Sequence, residues 1–275
     1  MKRNILKTAL VSGLTFLAIT GASAQQDSTN TAKRKKFDIN YGLGVTVGPK
    51  TVIVRSAGDT VRKIDPDKPR FVGGITFTRF DIGFSKLIDN GQFDLSANNE
   101  FLDYRAGKTS NVSFDLIQFG YRFSPSFKIY VAGGFDWTLI RLKKDITMQK
   151  NMPELTYVTE PIHFSKNRFS SSYFHIPLNF EMRTGKDENG KRFYFVLGPE
   201  VGFLLNGKVK QISDERGKAK FKDDYNFSTF RYGATARIGW NGLAFFAKYY
   251  ANDMFDSAPQ KGLKNMAFGL TFGLN

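Results

Sequence analysis

The sequence predicts an all-β fold, an up-and-down antiparallel transmembrane β-barrel, and three observations support this prediction. Apolar and polar side chains alternate with a period of two in repeated segments, as from Met266 to Leu274, and this period is typical of a strand with one apolar face. Beyond the first 24 residues, no apolar run approaches the roughly 20 residues that a membrane helix needs. The connections between the alternating segments are short and long in turn, which is typical of membrane barrels.

The N-terminus has the layout of a cleavable secretory signal peptide. A positively charged start (MKRNILK) precedes an uncharged stretch over 8–20, and an Ala-Ser-Ala triplet ends at Ala24. We therefore expect cleavage between Ala24 and Gln25. Residues 25–36 are polar and short of apolar side chains, so we expect a disordered lead-in there, followed by one barrel domain over 37–275.

The number of strands follows from the alternating segments. The phase of the alternation shifts between Phe77 and Phe80, which predicts either a β-bulge near 78–79 or a strand that starts later than Phe71. The segment 93–106 alternates weakly; if it is a loop, the barrel has eight strands and 37–48 lies outside it. We predict ten strands, with eight as the alternative, and the ten are 37–48, 71–87, 93–106, 112–123, 128–142, 174–182, 193–205, 230–240, 243–251 and 266–274.

The connections predict which membrane contains the barrel. Ser124 to Phe127 and the Asn241-Gly242 pair form tight hairpin turns, whereas 143–169 and 207–225 are long. Outer-membrane barrels have short periplasmic turns and long extracellular loops, and an even strand number places both termini in the periplasm. We therefore predict the bacterial cell outer membrane as the location, with 207–225 as a hydrated external loop and partner binding by this loop as the alternative.

The two faces of the strands differ in chemistry. One face carries so many Phe, Tyr and Trp side chains that a barrel of about eight strands could not hold them inside, so we expect this face to contact lipid. The other face carries charges of both signs. It is either a lumen plugged by paired side chains or a diffusion pore for small solutes; its predicted polar network is Arg122, Asp136, His175, Glu181, Glu200, Arg231, Arg237 and Lys248.

The net charge is +15, and removal of the three cations of the signal peptide leaves +12 (15 − 3). Because the chain is exported, nucleic acid is a poor partner for this charge. The cations either attract the phosphates of outer-membrane lipids and lipopolysaccharide or keep the loops soluble. The outer-membrane insertion machinery is a further expected partner. The absence of Cys excludes disulfides, a thiol nucleophile and Cys-based metal sites.

Catalytic and ligand-binding motifs are weak in this sequence. The only histidines are His163, in a loop beside Glu160, and His175, and either could act as the base of an outer-membrane hydrolase. No metal-ligand or cofactor pattern accompanies them, so we expect no enzyme activity and no cofactor. The connection 143–169 is more apolar than a solvated loop requires. It either folds over the barrel mouth or binds a partner through Met148, Met152, Leu155 and Tyr157.

Several strand motifs resemble those of the PorT-like outer-membrane β-barrel proteins. They are SSYFHIPL over 171–178, FVLGPEVG over 195–202, FRYG over 230–233, ARIG over 236–239 and FAKYY over 246–250. The resemblance covers roughly 71–275 and implies a porin-like integral outer-membrane barrel. Its namesake is associated with a protein secretion and gliding apparatus. We therefore expect a structural, transport-accessory or partner-binding role, with a protein of the envelope or of a secretion complex as one candidate partner.

Overall fold

The computed structural model describes residues 44–47, 50–53 and 69–273, all within the compact unit Tyr41–Asn275. The predicted signal peptide with its cleavage site at Ala24 and Gln25, and the predicted lead-in over 25–36, lie outside the described residues.

The described residues form thirteen strands and three short 3₁₀ turns. The strands are β1 Gly44–Val47, β2 Lys50–Ile53, β3 Arg70–Asp89, β4 Ser110–Ser124, β5 Phe127–Arg141, β6 Ile146–Met148, β7 Tyr157–Thr159, β8 Lys166–Arg183, β9 Phe193–Ser213, β10 Gly217–Asp223, β11 Phe230–Trp240, β12 Leu243–Tyr250 and β13 Leu263–Gly273. The 3₁₀ turns are Glu100–Leu102, Ala106–Lys108 and Ala258–Gln260. Within the described part of the chain, no helix has the length and apolar character to cross a membrane.

Eight strands close into an antiparallel barrel. The circuit runs β3-β4-β5-β8-β9-β11-β12-β13 and returns to β3. The last strand closes it along eleven paired positions, including Phe268 opposite Phe84. Because a closed circuit leaves no unpaired edge in lipid, this topology suits a membrane-spanning sheet.

Over the described ranges, the sheet contains eleven strands, because three short strands pair with the barrel strands or with each other. β10 extends β9, and β1 pairs with β2 and meets β3 in parallel at Thr46 and Thr76. The all-β antiparallel prediction is confirmed, and eight is the number of strands in the closed circuit. Within 93–106 the structure contains no long strand; 3₁₀ turns occupy that region, because its weak alternation offers no continuous apolar face.

The alternation in the sequence accounts for the orientation of each barrel strand. Along β8 the odd positions from His175 to Glu181 are buried, and the even positions carry the outward side chains. The phase shift near 78–79 coincides with a register shift between Ile75 and Arg79, so β3 is irregular at the place where the sequence predicts a β-bulge.

The connections separate the barrel into two ends. The tight turns after Ser124 and at Asn241-Gly242 are confirmed, and Asn241 has a φ of 56°, as the predicted hairpin turn requires. We call this the short-turn end. The opposite, long-loop end carries the four connections 90–109, 142–165, 214–229 and 251–262.

The prediction that 207–225 is a loop is wrong for most of these residues, because they form two paired strands. β9 continues to Ser213, and β10 returns alongside it as a hairpin. The reason is local: Val209 and Gln211 face inward and are buried, while the alternating lysines face outward. The hairpin therefore keeps the same period of two as the strands below it.

Candidate functional site: a charged lumen beneath a loop cap

The outer surface of the barrel is covered by exposed apolar side chains. They include Phe245 at 68% exposure and Ile238 at 59%, values that a soluble core would not leave in water. Aromatic residues lie near both ends of this surface, with Trp240 close to the short-turn end and Trp137 towards the long loops. This distribution matches the apolar band and flanking aromatic girdles of membrane barrels.

Inside the barrel, charged side chains from seven different strands come together at mid-height. We call this group the ionic layer, and it consists of Asp81, Asp115, Asp136, His175, Glu200, Arg231, Arg237 and Lys248, all buried. A buried charge is costly unless a counter-ion and hydrogen bonds compensate it. The positions of the counter-ions therefore decide whether this lumen is stable.

Asp81 is compensated by two cations. The Arg237 Nη2 atom lies 2.8 Å from one carboxylate oxygen of Asp81, and the Lys248 Nζ atom lies 3.2 Å from the same oxygen. The hydroxyls of Thr271 and Ser113 donate further hydrogen bonds at 2.7 and 3.0 Å. Four donors on one carboxylate satisfy most of its acceptor capacity.

Asp136 is the second centre of the layer. Lys248 contacts one of its oxygens at 3.1 Å, and Arg231 contacts the other at 2.9 Å. The Arg231 guanidinium also lies between two aromatic rings, 3.9 Å from the centroid of Tyr173 and 4.1 Å from that of Tyr250. Cation–π contacts of this kind stabilise a desolvated guanidinium. Arg231 is thus fixed in the lumen by both charge and stacking.

His175 bridges the two remaining carboxylates. Its Nε2 atom lies 3.3 Å from Asp115, and its Nδ1 atom lies 3.4 Å from Glu200. A neutral imidazole has one N–H and one acceptor nitrogen, so it cannot present a donor to both carboxylates. We infer that the ring carries both protons and is positively charged. With that charge, the ionic layer contains four carboxylates and four cations.

A second cluster lies nearer the short-turn end and surrounds Glu181. This buried carboxylate contacts Arg79 at 2.8 Å, Lys128 at 3.2 Å and the Nε atom of Arg183. Arg122 is half-buried and lies beside this cluster, with Lys128, Glu181 and Arg183 around the same small recess. The lumen is therefore crossed by charged side chains at two heights.

Of the eight residues predicted to form the polar network, the structure brings six together in the ionic layer. Glu181 and Arg122 belong to the separate cluster instead. Reasoning from the sequence missed Asp81, although its position between the outward residues Phe80 and Ile82 marks it as inward. Asp115 was hidden by a register shift between Asp115 and Ile117, which reverses the faces of β4.

Above the ionic layer, the long-loop end is filled by a cluster of buried apolar side chains, which we call the loop cap. All four long connections and five barrel strands contribute to it. Its members are Leu87, Phe101, Leu102, Tyr104, Ile140, Leu142, Ile146, Met148, Leu155, Phe169, Val209, Tyr225, Phe227, Met254, Phe255 and Leu263. Phe169 is at the centre, with ring contacts to Tyr225, Phe227 and Phe255. The loops therefore pack into the barrel mouth.

Hydrogen bonds between different loops hold the cap together. The Leu155 amide donates to Ser257 at 3.1 Å, and the Asn151 amide donates to Asp223 at 2.7 Å. Gln211 donates to the carbonyl oxygen of Ile146 at 3.0 Å. These bonds tie the connection 142–165 to the connections 214–229 and 251–262 and to β9, across sequence separations of more than sixty residues.

The prediction that Met148 and Leu155 bind a partner is wrong. Met148 and Leu155 are only 2% and 5% exposed, because their side chains pack into the cap of their own chain, so they are not available to a partner. Met152 and Tyr157 are 44% and 43% exposed and face outward from the same loop. Tyr157 stacks on Phe101 with ring centroids 4.7 Å apart.

An ion pair between His163 and Asp145 lies on the outside of the same loop. The Nδ1 atom of His163 lies 2.9 Å from Asp145, and the His163 side chain is 75% exposed. Partial burial opposes ionisation of Asp145, but hydrogen bonds from the Phe164 amide and from His163 outweigh it and lower the pKa of that carboxyl. The ring of His163 is exposed on the loop, whereas His175 is fully buried in the lumen. The two histidines do not form one site.

Glu160 lies close to the same pair and is also tied into the loop. The hydroxyl of Thr147 donates to it at 2.7 Å, and Arg216 pairs with it at 2.9 Å. The hydrogen bond from Thr147 and the charge of Arg216 lower the pKa of Glu160. Both loop carboxylates are therefore held in the ionised form.

The residues that could hold a ligand in the lumen leave little space for one. The cavity beside Arg231, Tyr173 and Tyr250 amounts to about 20 Å³, room for one or two waters. Asp136, His175 and Glu200 offer ligand atoms within 4.8 Å of one another, a grouping that no sequence spacing reveals because it joins three strands. The contacts of Asp136 to two cations and of His175 to Asp115 compete with such a metal ion.

Comparison with known proteins agrees with this geometry. The chain matches the family described as outer membrane protein beta-barrel domain over residues 71–255, which is 185 of 275 residues and runs from β3 beyond β12. A search of curated proteins found no significant match. The chain therefore belongs to the outer membrane protein beta-barrel domain family and is an integral outer-membrane β-barrel protein.

Proposed function

We propose that this protein is a non-conducting barrel whose lumen is plugged by its own side chains, with a structural, transport-accessory or partner-binding role. The observation that carries the proposal is the ionic layer beneath the loop cap. A solute crossing the lumen would have to part Asp81 from Arg237, which lie 2.8 Å apart and are almost fully buried. It would also have to displace the cap and the charges around Glu181.

Energetics support the same proposal. Breaking a buried ion pair leaves an uncompensated charge and costs about 3–5 kcal/mol. The ionic layer contains several such contacts in series, so transient opening on the scale of thermal energy is strongly disfavoured. A pore for small solutes requires instead a continuous water path lined by charges that remain hydrated.

The test is single-channel conductance in planar bilayers. We expect no steady open channels from the purified protein. The matched control is Met148→Ser with Leu155→Ser, which loosens the cap and leaves the ionic layer intact, so it should also stay closed. Steady, reproducible channels from the natural protein would overturn the plugged lumen in favour of the diffusion-pore alternative.

The outer surface of the cap is the region we propose for partner binding. Met152, Tyr157 and Val158 are 44%, 43% and 50% exposed on a loop that is otherwise tied down. A rigid loop with exposed apolar tips loses little entropy when a partner covers it. Co-purification in mild detergent from native membranes tests this, with Met152→Ser and Tyr157→Ser as the paired variant. A stoichiometric envelope protein lost from the variant supports the proposal, and an unchanged or absent partner contradicts it.

The remaining parts of the proposal concern family branch, export and chemistry. The motifs over 171–178 and 195–202 support a PorT-like, porin-like branch of the family, and the N-terminal leader supports export with cleavage after Ala24. We propose that the insertion machinery and the surrounding lipids and lipopolysaccharide are its general partners. We also propose a non-enzymatic role, supported by the separation of His163 from His175. A lipase or protease activity lost in His163→Ala would contradict it.

A further inference from the structure

A dense group of cations lies on the outer face of the barrel, where β5, β8, β9 and β10 extend towards the long-loop end. We call it the basic face. Its side chains point away from the lumen, since the neighbouring odd positions of β9, such as Val209 and Gln211, are buried. The basic face consists of Arg141, Lys166, Arg168, Lys208, Lys210, Lys218, Lys220 and Lys222.

The register of the sheet places like charges directly opposite one another. Arg141 pairs with Arg168, Arg168 with Lys210, and Lys210 with Lys220, so four cations form one row across four strands. Lys208 and Lys222 are opposite one another in the adjacent row. Opposed side chains are about 5 Å apart and like charges there are destabilising. This separation is shorter than the Debye length of about 8 Å at physiological salt.

No acidic residue of the described sheet occupies these rows, and none of the eight cations forms an ion pair with another described residue. Lys166 lies two residues from Arg168 on the same face of β8, so these two cations repel each other as well. An external anion would remove this repulsion at once.

The height of the basic face identifies the anion. The outward apolar side chains of β8 run from Met182 to Phe174, and Ser172 follows them. At about 3.3 Å per residue and a tilt of about 40°, the ten steps from Met182 to Ser172 rise about 25 Å, the height of the apolar band of a membrane barrel. Arg168 and Lys166 follow within six residues. The cations therefore lie at the headgroup level of the outer leaflet.

We propose that the basic face binds the phosphate groups of a phosphorylated glycolipid of the outer leaflet, with its acyl chains against the adjacent apolar band. Guanidinium groups bind phosphate oxygens in a bidentate manner and ammonium groups do so as point charges, and the face supplies both. The aromatic and aliphatic residues directly below it, including Trp137 and Leu139, provide the surface for the acyl chains. This inference does not depend on a sealed lumen.

The test compares two variants of equal charge. The first, Arg168→Gln with Lys208→Gln, Lys210→Gln and Lys220→Gln, removes four cations of the basic face. The control, Lys108→Gln with Lys150→Gln, Lys186→Gln and Lys261→Gln, removes four exposed cations from other loops. Both sets alter outward side chains only, and gel mobility of the folded form verifies that each variant is inserted.

Binding is measured by native mass spectrometry in nanodiscs of phosphatidylcholine doped with lipid A or with the same glycolipid lacking its phosphates. We expect the natural protein and the control to retain phosphorylated lipid A at least about tenfold more tightly than the dephosphorylated form, and the basic-face variant to lose this preference. Equal retention by both variants would overturn the proposal. Competition by millimolar inorganic phosphate as effective as by lipid A would also overturn it, since the site would then bind free anions.

Failure of this test and failure of the proposed function are distinguishable. A conducting lumen changes the bilayer recordings and leaves the lipid preference unaltered. Loss of lipid preference changes neither the conductance nor the contacts of the ionic layer.

Discussion

Substitution of Arg237 by Met is the sharpest perturbation of the ionic layer. Arg237 and Asp81 are 2.8 Å apart, with side-chain exposures of 1% and 2%. Among the described residues, the variant leaves Asp81 with Lys248 as its only counter-ion, at 3.2 Å, and that cation is shared with Asp136 at 3.1 Å. Removal of one partner from a buried pair is expected to lower the free energy of unfolding by about 3–5 kcal/mol.

The chain offers a matched control in Arg216, which pairs with Glu160 at 2.9 Å but is 54% exposed. The two pairs have nearly the same separation, so burial is the difference between them. Arg216→Met is expected to cost at most about 1 kcal/mol. Both variants are refolded into phospholipid vesicles and unfolded with guanidinium, and tryptophan emission and gel mobility report the folded fraction.

A second substitution separates lost attraction from an uncompensated charge. Asp81→Asn in the Arg237→Met background removes the orphaned carboxylate, so we expect the double variant to be more stable than Arg237→Met alone. A loss for Arg237→Met within about 1 kcal/mol of the control would refute the reasoning. Strict additivity of the two substitutions would refute it as well.

Three further predictions concern the cap and the barrel wall. Met148→Ala should lower the free energy of unfolding by about 2–5 kcal/mol, because the Met148 side chain is 2% exposed. Tyr157 is 43% exposed, so Tyr157→Ala should lower it by less in the same titration. Equal losses would argue against the cap. The lowered pKa of Asp145 implies that its ionised carboxylate stabilises the loop at neutral pH and that this stabilisation is lost as the pH falls below about 4. Proteolysis of 142–165 should therefore be faster below that pH. Asp145→Asn should remove this dependence of the proteolysis rate on pH. Gly134→Val should abolish the folded gel band, since a Cβ atom would lie 1.9 Å from a backbone oxygen of β4, whereas Gly107→Ala, in open space, should leave it unchanged.

The sequence was sufficient to predict the class of fold because alternation with a period of two is a local property. Each barrel strand except β3, β4 and β9 keeps one phase along most of its length, and the two tight turns carry their own signals. The number of strands in the closed circuit was harder to predict from the sequence, because closure depends on the pairing of β13 with β3. That contact joins residues far apart in sequence and leaves no local pattern.

The sequence was sufficient to predict which side chains face the lumen, but not which of these side chains contact each other. Arg231, Arg237 and Lys248 were recognised as inward, but nothing local indicates that Lys248 links Asp81 to Asp136 or that His175 lies between two carboxylates. The cap shows the same limit. The apolar character of 143–169 was visible, yet only packing against other loops separates buried Met148 from exposed Met152.

The central claim is that the apolar face of the barrel meets lipid while the ionic face is enclosed, and tryptophan quenching tests it most directly. The chain contains two tryptophans, Trp137 and Trp240, both on the outward face near opposite ends of the band. In vesicles of lipids brominated near the headgroup, we expect strong quenching of the emission and little quenching by aqueous iodide. The account would be contradicted if iodide quenched the emission and brominated lipid did not. It would also be contradicted if neither reagent quenched the emission.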